Sequence, residues 1–269
     1  MTIRLVISDV DGTIVTSGKI IAPSTVEAAA RLQAAGIALS IVSARPTRGM
    51  LWIQDALKLT GPLAGFNGGR LLGPDRRVID EHIVTEAAAR TALGLFAARG
   101  LQSWVFSGDD WFVLAAAAPH VQRESHTVRY EPTVIASFEP HLARVSKMVG
   151  ISDDAPLLGE VEAELQLLIG AAAHAKRSQS YYLDLTAPEA NKGAAVRAIA
   201  QAQGVGLEEV AVLGDMLNDV PMFEVAGFSV AMGNASDDVK ARASASVAGT
   251  NDHDGWAEAI DTLVLPRAR

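Results

Sequence analysis

The sequence predicts an α/β protein whose core is a doubly wound, Rossmann-like parallel sheet interrupted by an inserted α+β domain. Short apolar runs alternate with helical patterns up to about residue 84, and this alternation returns after residue 191. The segment between them has helices and paired strands instead, which is typical of an α+β arrangement. We therefore expect a core of residues 1–84 and 187–269 and an insertion of residues 85–186.

The first part of the core has clear strand and helix signals. Ser24 and Glu27 have the spacing of a capping box, which predicts a helix that begins there and ends near Gly36. A second helix is expected over residues 46–57. Predominantly apolar runs that suit buried parallel strands occur at residues 3–8, 37–42 and 63–66.

The insertion and the second part of the core follow in the same way. In the insertion, helices are expected at residues 85–99 and 155–168. Its strands are expected at residues 102–106, 111–115, 143–151, 171–176 and 180–185. The core then resumes with helix 192–203, strand 210–213, helix 220–226, strand 228–231 and a helix that ends near residue 263.

The composition excludes several classes of function. The chain has 269 residues, a formal charge of −8 and no Lys/Arg-rich run, so we expect no nucleic-acid partner. It has no cysteine, which excludes disulfides, zinc–thiolate sites and a cysteine nucleophile. The N-terminal apolar run is too short for a signal peptide, and no segment reaches membrane-spanning length. We therefore expect a cytoplasmic protein without a membrane partner.

Two carboxylates follow the first predicted strand. Asp9 and Asp11 stand at positions i and i+2, and in extended chain such side chains project to the same side. One can attack phosphorus while the other, kept protonated by its neighbours, gives a proton to the leaving alkoxide. Gly12 lets the backbone turn sharply away. An isolated Asp-x-Asp after a strand is about as often an ordinary turn as a functional pair of carboxylates.

A second polar cluster follows the strand predicted at residues 210–213. It contains Asp215, Asn218 and Asp219, whose hard oxygen atoms suit Mg²⁺. The alternative is that Asn218 or Asp219 caps a helix that begins near Pro221. Both clusters stand at the carboxyl ends of predicted strands, where α/β sheets bind ligands, and their joint occurrence favours a functional site.

Two weaker signals lie between these clusters. Ser43 follows a predicted strand, where its hydroxyl and the next backbone N–H groups are able to hold a phosphate at a helix N-terminus. Lys192 opens a predicted helix, where a cation opposes the helix dipole. Taken singly, Ser43 is more often a helix cap and Lys192 more often a solvated lysine.

All four signals together, in this order, resemble the four sequence motifs of the haloacid dehalogenase-like superfamily. The place of the insertion resembles the Cof-type branch, which carries a class IIB α/β cap. Ser43 and Ala44 depart from the usual Thr-Gly of the second motif, and Trp256 stands where a smaller apolar residue is usual. Stretches similar to the Cof-type branch are residues 66–69, 231–235 and 251–255.

The resemblance implies a role for each motif. Asp9 would be the nucleophile and Asp11 the general acid and base, while Ser43 and Lys192 would hold the transferring phosphoryl group. Mg²⁺ would be bound by Asp9, Asp215 and the backbone carbonyl of Asp11. Asp219 and Asn218 would lie around the metal. Phosphate or substrate contacts are expected from Gly12, Thr13, Ala44, Arg45, Asn67, Gly68 and Asn218.

The expected activity is hydrolysis of a small phosphomonoester, a sugar or polyol phosphate, through an aspartyl phosphate. Asp11 favours hydrolysis, since superfamily members that preserve the acyl phosphate tend to lack a carboxylate there. The inserted cap would set the specificity, and the chain would be a monomer or homodimer. A sugar phosphomutase and a non-catalytic phospho-metabolite-binding protein are the alternatives.

Overall fold

A computed structural model describes residues 2–268. It divides the chain into two compact units. The core unit comprises Met1–Ile79 and Asn191–Arg269, and the inserted unit comprises Asp80–Ala190. The boundaries expected for the insertion, residues 85 and 186, lie within the inserted unit by a few residues at each end.

Helices and strands alternate in the core unit, as the sequence predicts. Over both units together, with β6 to β11 in the inserted unit, the strands are β1 (Leu5–Ser8), β2 (Ala38–Val42), β3 (Leu63–Gly65), β4 (Arg70–Leu72), β5 (Val78–Glu81), β6 (Gln102–Ser107), β7 (Asp110–Val113), β8 (Thr133–Val134), β9 (Lys147–Ile151), β10 (His174–Gln179), β11 (Tyr182–Thr186), β12 (Val210–Gly214), β13 (Phe228–Ala231) and β14 (Ala245–Ser246). The helices are α1 (Pro23–Ala34), α2 (Leu51–Leu57), α3 (Glu86–Ala98), α4 (Val121–Val128), α5 (Ala155–Ile169), α6 (Lys192–Gln203), α7 (Val220–Phe223), α8 (Asp237–Lys240) and α9 (Gly255–Ala259).

The core sheet has the order β14-β13-β12-β1-β2-β3-β4-β5. Neighbours from β14 to β3 are parallel, and β4 is antiparallel to β3. Ser8, the last residue of β1, pairs with Ile41 of β2 and Leu213 of β12. The residues that follow these three strands therefore meet at one edge of the sheet.

Helices cover both faces of this sheet, so the fold is doubly wound. Side chains alternate along a strand, and accordingly Val6 packs in one apolar cluster while Leu5 and Ile7 pack in the other. The first cluster includes residues of α1, α2 and α9, and the second includes residues of α6 and α7. The predicted fold class is confirmed.

The inserted unit is an antiparallel sheet with helices, as expected for an α+β domain. Its order is β10-β11-β9-β6-β7-β8, and all neighbours except β7 and β8 are antiparallel. The predicted hairpin is present as β6 and β7. Among residues 2–268, no helix combines the length and apolar character that crossing a bilayer requires.

The capping box predicted at Ser24 is wrong. Helix α1 begins at Pro23, and no side chain caps its N-terminus. Proline has no N–H to satisfy and its φ is already helical, so the helix begins two residues earlier than a Ser24 N-cap requires. The Ser24 hydroxyl donates instead to Asp254 Oδ1 at 2.5 Å.

Several elements have no clear signal in the sequence. The edge strand β5 is largely exposed and lacks the apolar alternation of a half-buried strand. Helix α4 is short and mostly polar, with only Val121, Ser125 and Val128 buried. Such elements depend on the surface they pack against more than on their own composition.

We predict that Asp154→Ala destabilises the protein by about 1 kcal/mol, because Asp154 Oδ1 caps α5 by accepting from the Leu157 N–H at 3.0 Å. Ser24→Ala is the matched control and should change stability by less than about 0.5 kcal/mol, since Ser24 caps no helix. Urea denaturation midpoints measure both. Equal losses in the two variants would contradict the assignment of these helix starts.

Candidate active site

The functional candidates lie at the ends of three adjacent parallel strands. Asp9 follows β1, Ser43 follows β2 and Asp215 follows β12, while Lys192 is the first residue of α6. The backbone N–H of Ser43 donates to the Ala64 carbonyl, which keeps the chain extended beyond β2. The parallel topology therefore brings together residues that are separated by up to 206 positions in the sequence.

Lys192 lies between two carboxylates. Its ammonium Nζ is 2.5 Å from Asp9 Oδ1 and 2.5 Å from Asp219 Oδ1. The three residues are almost fully buried, with exposed fractions of 2% for Lys192, 4% for Asp9 and 0% for Asp219. Burial alone would lower the pKa of Lys192, but the Asp219 and Asp9 charges outweigh it and raise that pKa. The lysine is thus a buried permanent cation.

Asp219 also organises the loop that carries Asp215. Its Oδ2 accepts from the backbone N–H groups of Asp215 at 2.8 Å and Met216 at 2.9 Å. Gly214 makes this approach possible, because a Cβ there would lie 2.5 Å from Asp219 Cγ. One buried carboxylate therefore fixes the end of β12, the metal candidate Asp215 and the Lys192 ammonium.

Asp9, Asp215 and Asp219 form a group able to hold a metal ion. One carboxylate oxygen of each lies within 4.8 Å of the others. Burial and then repulsion by Asp219 raise the pKa of Asp215 to about 7. Burial, together with Asp219 and Asp215, likewise raises the pKa of Asp9 well above its ordinary value despite the opposing Lys192 charge.

These residues fit a divalent cation. Three close carboxylates face a single ammonium, so the cluster has excess negative charge, which adds to burial in raising these pKa values. Hard carboxylate oxygens are the ligands that Mg²⁺ and similar ions prefer. Asp9 and Asp215 would hold such an ion, and Asp219 would support them while bonded to Lys192.

Asp11 has different neighbours. Its carboxylate accepts from Arg45 Nε at 2.6 Å, from Arg45 Nη2 at 2.7 Å and from Lys19 Nζ at 2.6 Å. Burial would raise the pKa of Asp11, but the hydrogen bonds and charges of Arg45 and Lys19 lower it to about 2. The expectation that neighbours keep Asp11 protonated is therefore wrong for the free protein, because those neighbours are cations.

The residues after Asp11 contact Asp215. Thr13 Oγ1 donates to Asp215 Oδ1 at 3.0 Å, so the hydroxyl expected to bind phosphate is directed at a metal candidate. Gly12 has a φ of +81° and lies against the same carboxylate, which leaves no room for a Cβ. Contacts of Gly12 and Thr13 with phosphate stay predictions.

The remaining predicted phosphate-binding residues lie on three loops, which follow β2, β3 and β12 and are joined by hydrogen bonds. The Ser43 hydroxyl accepts from the Arg45 N–H at 3.2 Å, and the Ser43 carbonyl accepts from the Asn67 N–H at 2.8 Å. Asn218 Nδ2 donates to Asn67 Oδ1 at 3.3 Å. Ala44 is partly buried beside Ser43, and Gly68 completes the turn that contains Asn67.

Three residues at the site were not predicted. Lys19 contacts Asp11, and nothing in the sequence marks it. Asn234 contacts Asp215 and belongs to a stretch similar to the Cof-type branch, but that similarity did not indicate a role for this residue. Trp256 Nε1 donates to Ser8 Oγ at 3.0 Å, and Ser8 Oγ donates to the Asp9 carbonyl at 2.9 Å. The sequence signal that could have indicated this contact is that Trp256 stands where a smaller apolar residue is usual.

Comparison with known proteins identifies the family. The family model described as haloacid dehalogenase-like hydrolase matches residues 6–260. The chain belongs to the haloacid dehalogenase-like hydrolases. A structure with that same description, from Bacteroides thetaiotaomicron, superposes with a TM-score of 0.89 at 29% identity, over 96% of this chain and 98% of that one.

Curated relatives over the full length are phosphatases. The pyridoxal phosphate phosphatase YbhA of Escherichia coli is 32% identical, over 97% of this chain and 98% of its own. The 5-amino-6-(5-phospho-D-ribitylamino)uracil phosphatase YwtE of Bacillus subtilis is 25% identical, over 95% and 96%. The predicted Cof-type family and the predicted enzyme class, a phosphatase, are confirmed.

A subclass IIB sugar phosphatase of the same superfamily shares the fold. It superposes with a TM-score of 0.84 at 24% identity, over 97% of this chain and 99% of that chain. At this level of identity the likeness shows the architecture alone. It agrees with the class IIB cap predicted from the place of the insertion.

We predict that Arg45→Gln raises the pKa of Asp11 above about 2 toward or beyond its ordinary 3.8, because burial is then opposed by Lys19 alone. The depressed pKa means that the Arg45 contact stabilises the fold fully above pH 3.8, and that this stabilisation is lost as the pH falls through about 2.

Carboxyl-detected NMR titration of the chelator-treated protein measures this pKa. Arg31→Gln is the control, since Arg31 pairs with Asp261 on the surface and does not contact Asp11. An unchanged Asp11 titration in Arg45→Gln would show that Arg45 does not set its ionisation.

Proposed function

We propose that this protein is a Mg²⁺-dependent phosphomonoesterase that transfers the phosphoryl group of a small metabolite to Asp9 and then to water. The observation that carries the proposal is the pairing of two different carboxylates at one strand end. Asp9 belongs to the acidic group with Asp215 and Asp219, whereas Asp11 faces two cations. These different environments suit Asp9 to act as the nucleophile and Asp11 to carry the proton.

In the first half-reaction, an Asp9 oxygen attacks phosphorus and the bond from phosphorus to the leaving oxygen breaks. Both the carboxylate and the phosphate are anionic, so the buried Lys192 ammonium lowers their repulsion. The chemistry that Mg²⁺ supplies when bound is positive charge, which keeps Asp9 ionised and orients a phosphate oxygen.

Asp11 gives the leaving oxygen its proton. In the free protein Asp11 is ionised, so it has to take up that proton from solvent when the substrate binds. An incoming phosphate adds negative charge and competes for Arg45 and Lys19, and both effects raise the pKa of Asp11. In the second half-reaction, the ionised Asp11 takes a proton from the water that attacks the aspartyl phosphate, which regenerates Asp9.

The substrate is a small phosphomonoester, for which we propose a sugar or polyol phosphate. Support comes from the names of the relatives, of which one acts on pyridoxal phosphate and another on a phosphorylated ribityl compound. Ribityl is a polyol chain, and its phosphate is a monoester. We propose that the enzyme works in the cytoplasm, where such metabolites are made and used.

We expect the wild-type protein to hydrolyse a chromogenic aryl phosphate with Mg²⁺ and to lose this activity with EDTA. Asp9→Asn should remove steady-state turnover, because an amide cannot form the aspartyl phosphate. Phosphate release and circular dichroism are measured together. Near wild-type hydrolysis by a folded Asp9→Asn variant would refute the nucleophile. With a sugar phosphate as the substrate of the wild type, an isomerised sugar phosphate without free phosphate would indicate a mutase.

Asp11→Asn should lower turnover by about 10²–10⁴-fold, because an amide neither donates the proton to the leaving group nor activates water. A substrate with a better leaving group needs less protonation, so the loss should be smaller for an aryl phosphate than for an alkyl phosphate. Turnover numbers on both esters test this. A loss below about tenfold on the alkyl ester would contradict a proton-transfer role.

A further inference from the structure

Both oxygens of the Asp215 carboxylate are hydrogen-bonded by side chains from other loops. Thr13 Oγ1 donates to Oδ1 at 3.0 Å, and Asn234 Nδ2 donates to Oδ2 at 3.1 Å. Thr13 lies in the loop after β1, and Asn234 lies after β13. The carboxylate is therefore held from two sides, by groups that are not acidic and bind no metal themselves.

Asn234 makes further contacts that fix its own orientation. Its Nδ2 also donates to the Gly12 carbonyl at 2.9 Å, and its Oδ1 accepts from the Asn251 N–H at 3.1 Å. The amide group has two N–H donors and one carbonyl acceptor, so only this orientation satisfies all three contacts. Asn251 Nδ2 in turn donates to the Val15 carbonyl at 3.0 Å.

We propose that Thr13 and Asn234 are positioning residues that clamp Asp215 in the orientation needed to bind the metal ion. The inference rests on the proposed function, because it gives Asp215 its role there. A carboxylate has about four lone-pair sites. The clamp uses one site on each oxygen, which leaves one on each for a cation and prevents the side chain from rotating away. The two residues thus make the ligand available before the ion arrives.

Of the two clamp residues, Asn234 contributes more to this geometry than to the fold. Asn234 is exposed, and surface substitutions usually change stability by less than about 0.5 kcal/mol. Hydrogen-bond partners of metal ligands, by contrast, typically change metal affinity by about 10–100-fold when they are removed. A large loss of metal affinity with little loss of stability on substitution of Asn234 would therefore indicate the clamp.

The test measures Mg²⁺ binding directly, by calorimetric titration of the full-length, chelator-stripped protein with MgCl₂. Thr13→Val and Asn234→Ala should each raise the Kd by about 10-fold or more. Thr13→Ser retains the hydroxyl and should stay within about twofold of the wild type. Ser244→Ala is the matched control, since it removes a hydrogen bond to Ser229 of β13 that does not reach the site.

Asn234→Asp separates positioning from simple electrostatics. This variant keeps an acceptor for Asn251 but loses the donor to Asp215 and adds a negative charge beside it. If only charge mattered, the added carboxylate would tighten cation binding. The clamp predicts weaker binding, because like charges push Asp215 out of its orientation.

The proposal is overturned by an unchanged Kd in both Thr13→Val and Asn234→Ala, by tighter binding in Asn234→Asp, or by absence of Mg²⁺ binding in the wild type. Thr13 and Asn234 contact Asp215 from different loops, so the test does not depend on the folding of one variant alone. Failure of the proposed function is distinguishable, since it would appear as Mg²⁺ binding, with the predicted losses, in a protein that hydrolyses no phosphoester.

Discussion

The buried ammonium of Lys192 stabilises the arrangement of the acidic group formed by Asp9, Asp215 and Asp219. An isolated charge in the interior is costly, and removal of one partner from a buried pair leaves the other uncompensated. Here one cation faces Asp9, which follows β1, and Asp219, which lies beyond β12, so it links two neighbouring strand ends. Asp219 in turn binds two backbone N–H groups of the loop that carries Asp215. The position of Asp9, the proposed nucleophile, and that of Asp215, the proposed metal ligand, are thus coupled through Lys192 and Asp219.

The acidic group that Lys192 contacts keeps an excess of negative charge. The group of Asp9, Asp215 and Asp219 has more negative charge than Lys192 neutralises. Burial first, and then this repulsion, raises the pKa values of Asp9 and Asp215. Asp11, two residues from Asp9, is in the opposite situation, because Arg45 and Lys19 hold it ionised. The same residue type therefore has two different electrostatic environments at positions 9 and 11, and this difference supports the two roles that we propose for them.

The sequence predictions failed where a local pattern competed with a contact from elsewhere. The Ser-x-x-Glu spacing at Ser24 is genuine, but Pro23 begins the helix and the Ser24 hydroxyl meets Asp254 from the far end of the chain. The substrate contact expected of Arg45, which follows Ser43 and Ala44, stays a prediction, but the sequence did not indicate its bidentate contact with Asp11. In both cases the partner is distant in sequence, and spacing along the chain carries no information about it.

The sequence by itself determined the α/β class, the interruption by an inserted unit and the residues that gather at the strand ends, because apolar periodicity and short motifs are local properties. Only the tertiary structure decided the ionisation of these residues and their partners. The low pKa of Asp11 depends on Lys19 and Arg45, and the orientation of Asp215 depends on Thr13 and Asn234. Burial and charge act through distances of a few ångströms in space, which the fold sets and the order of residues does not.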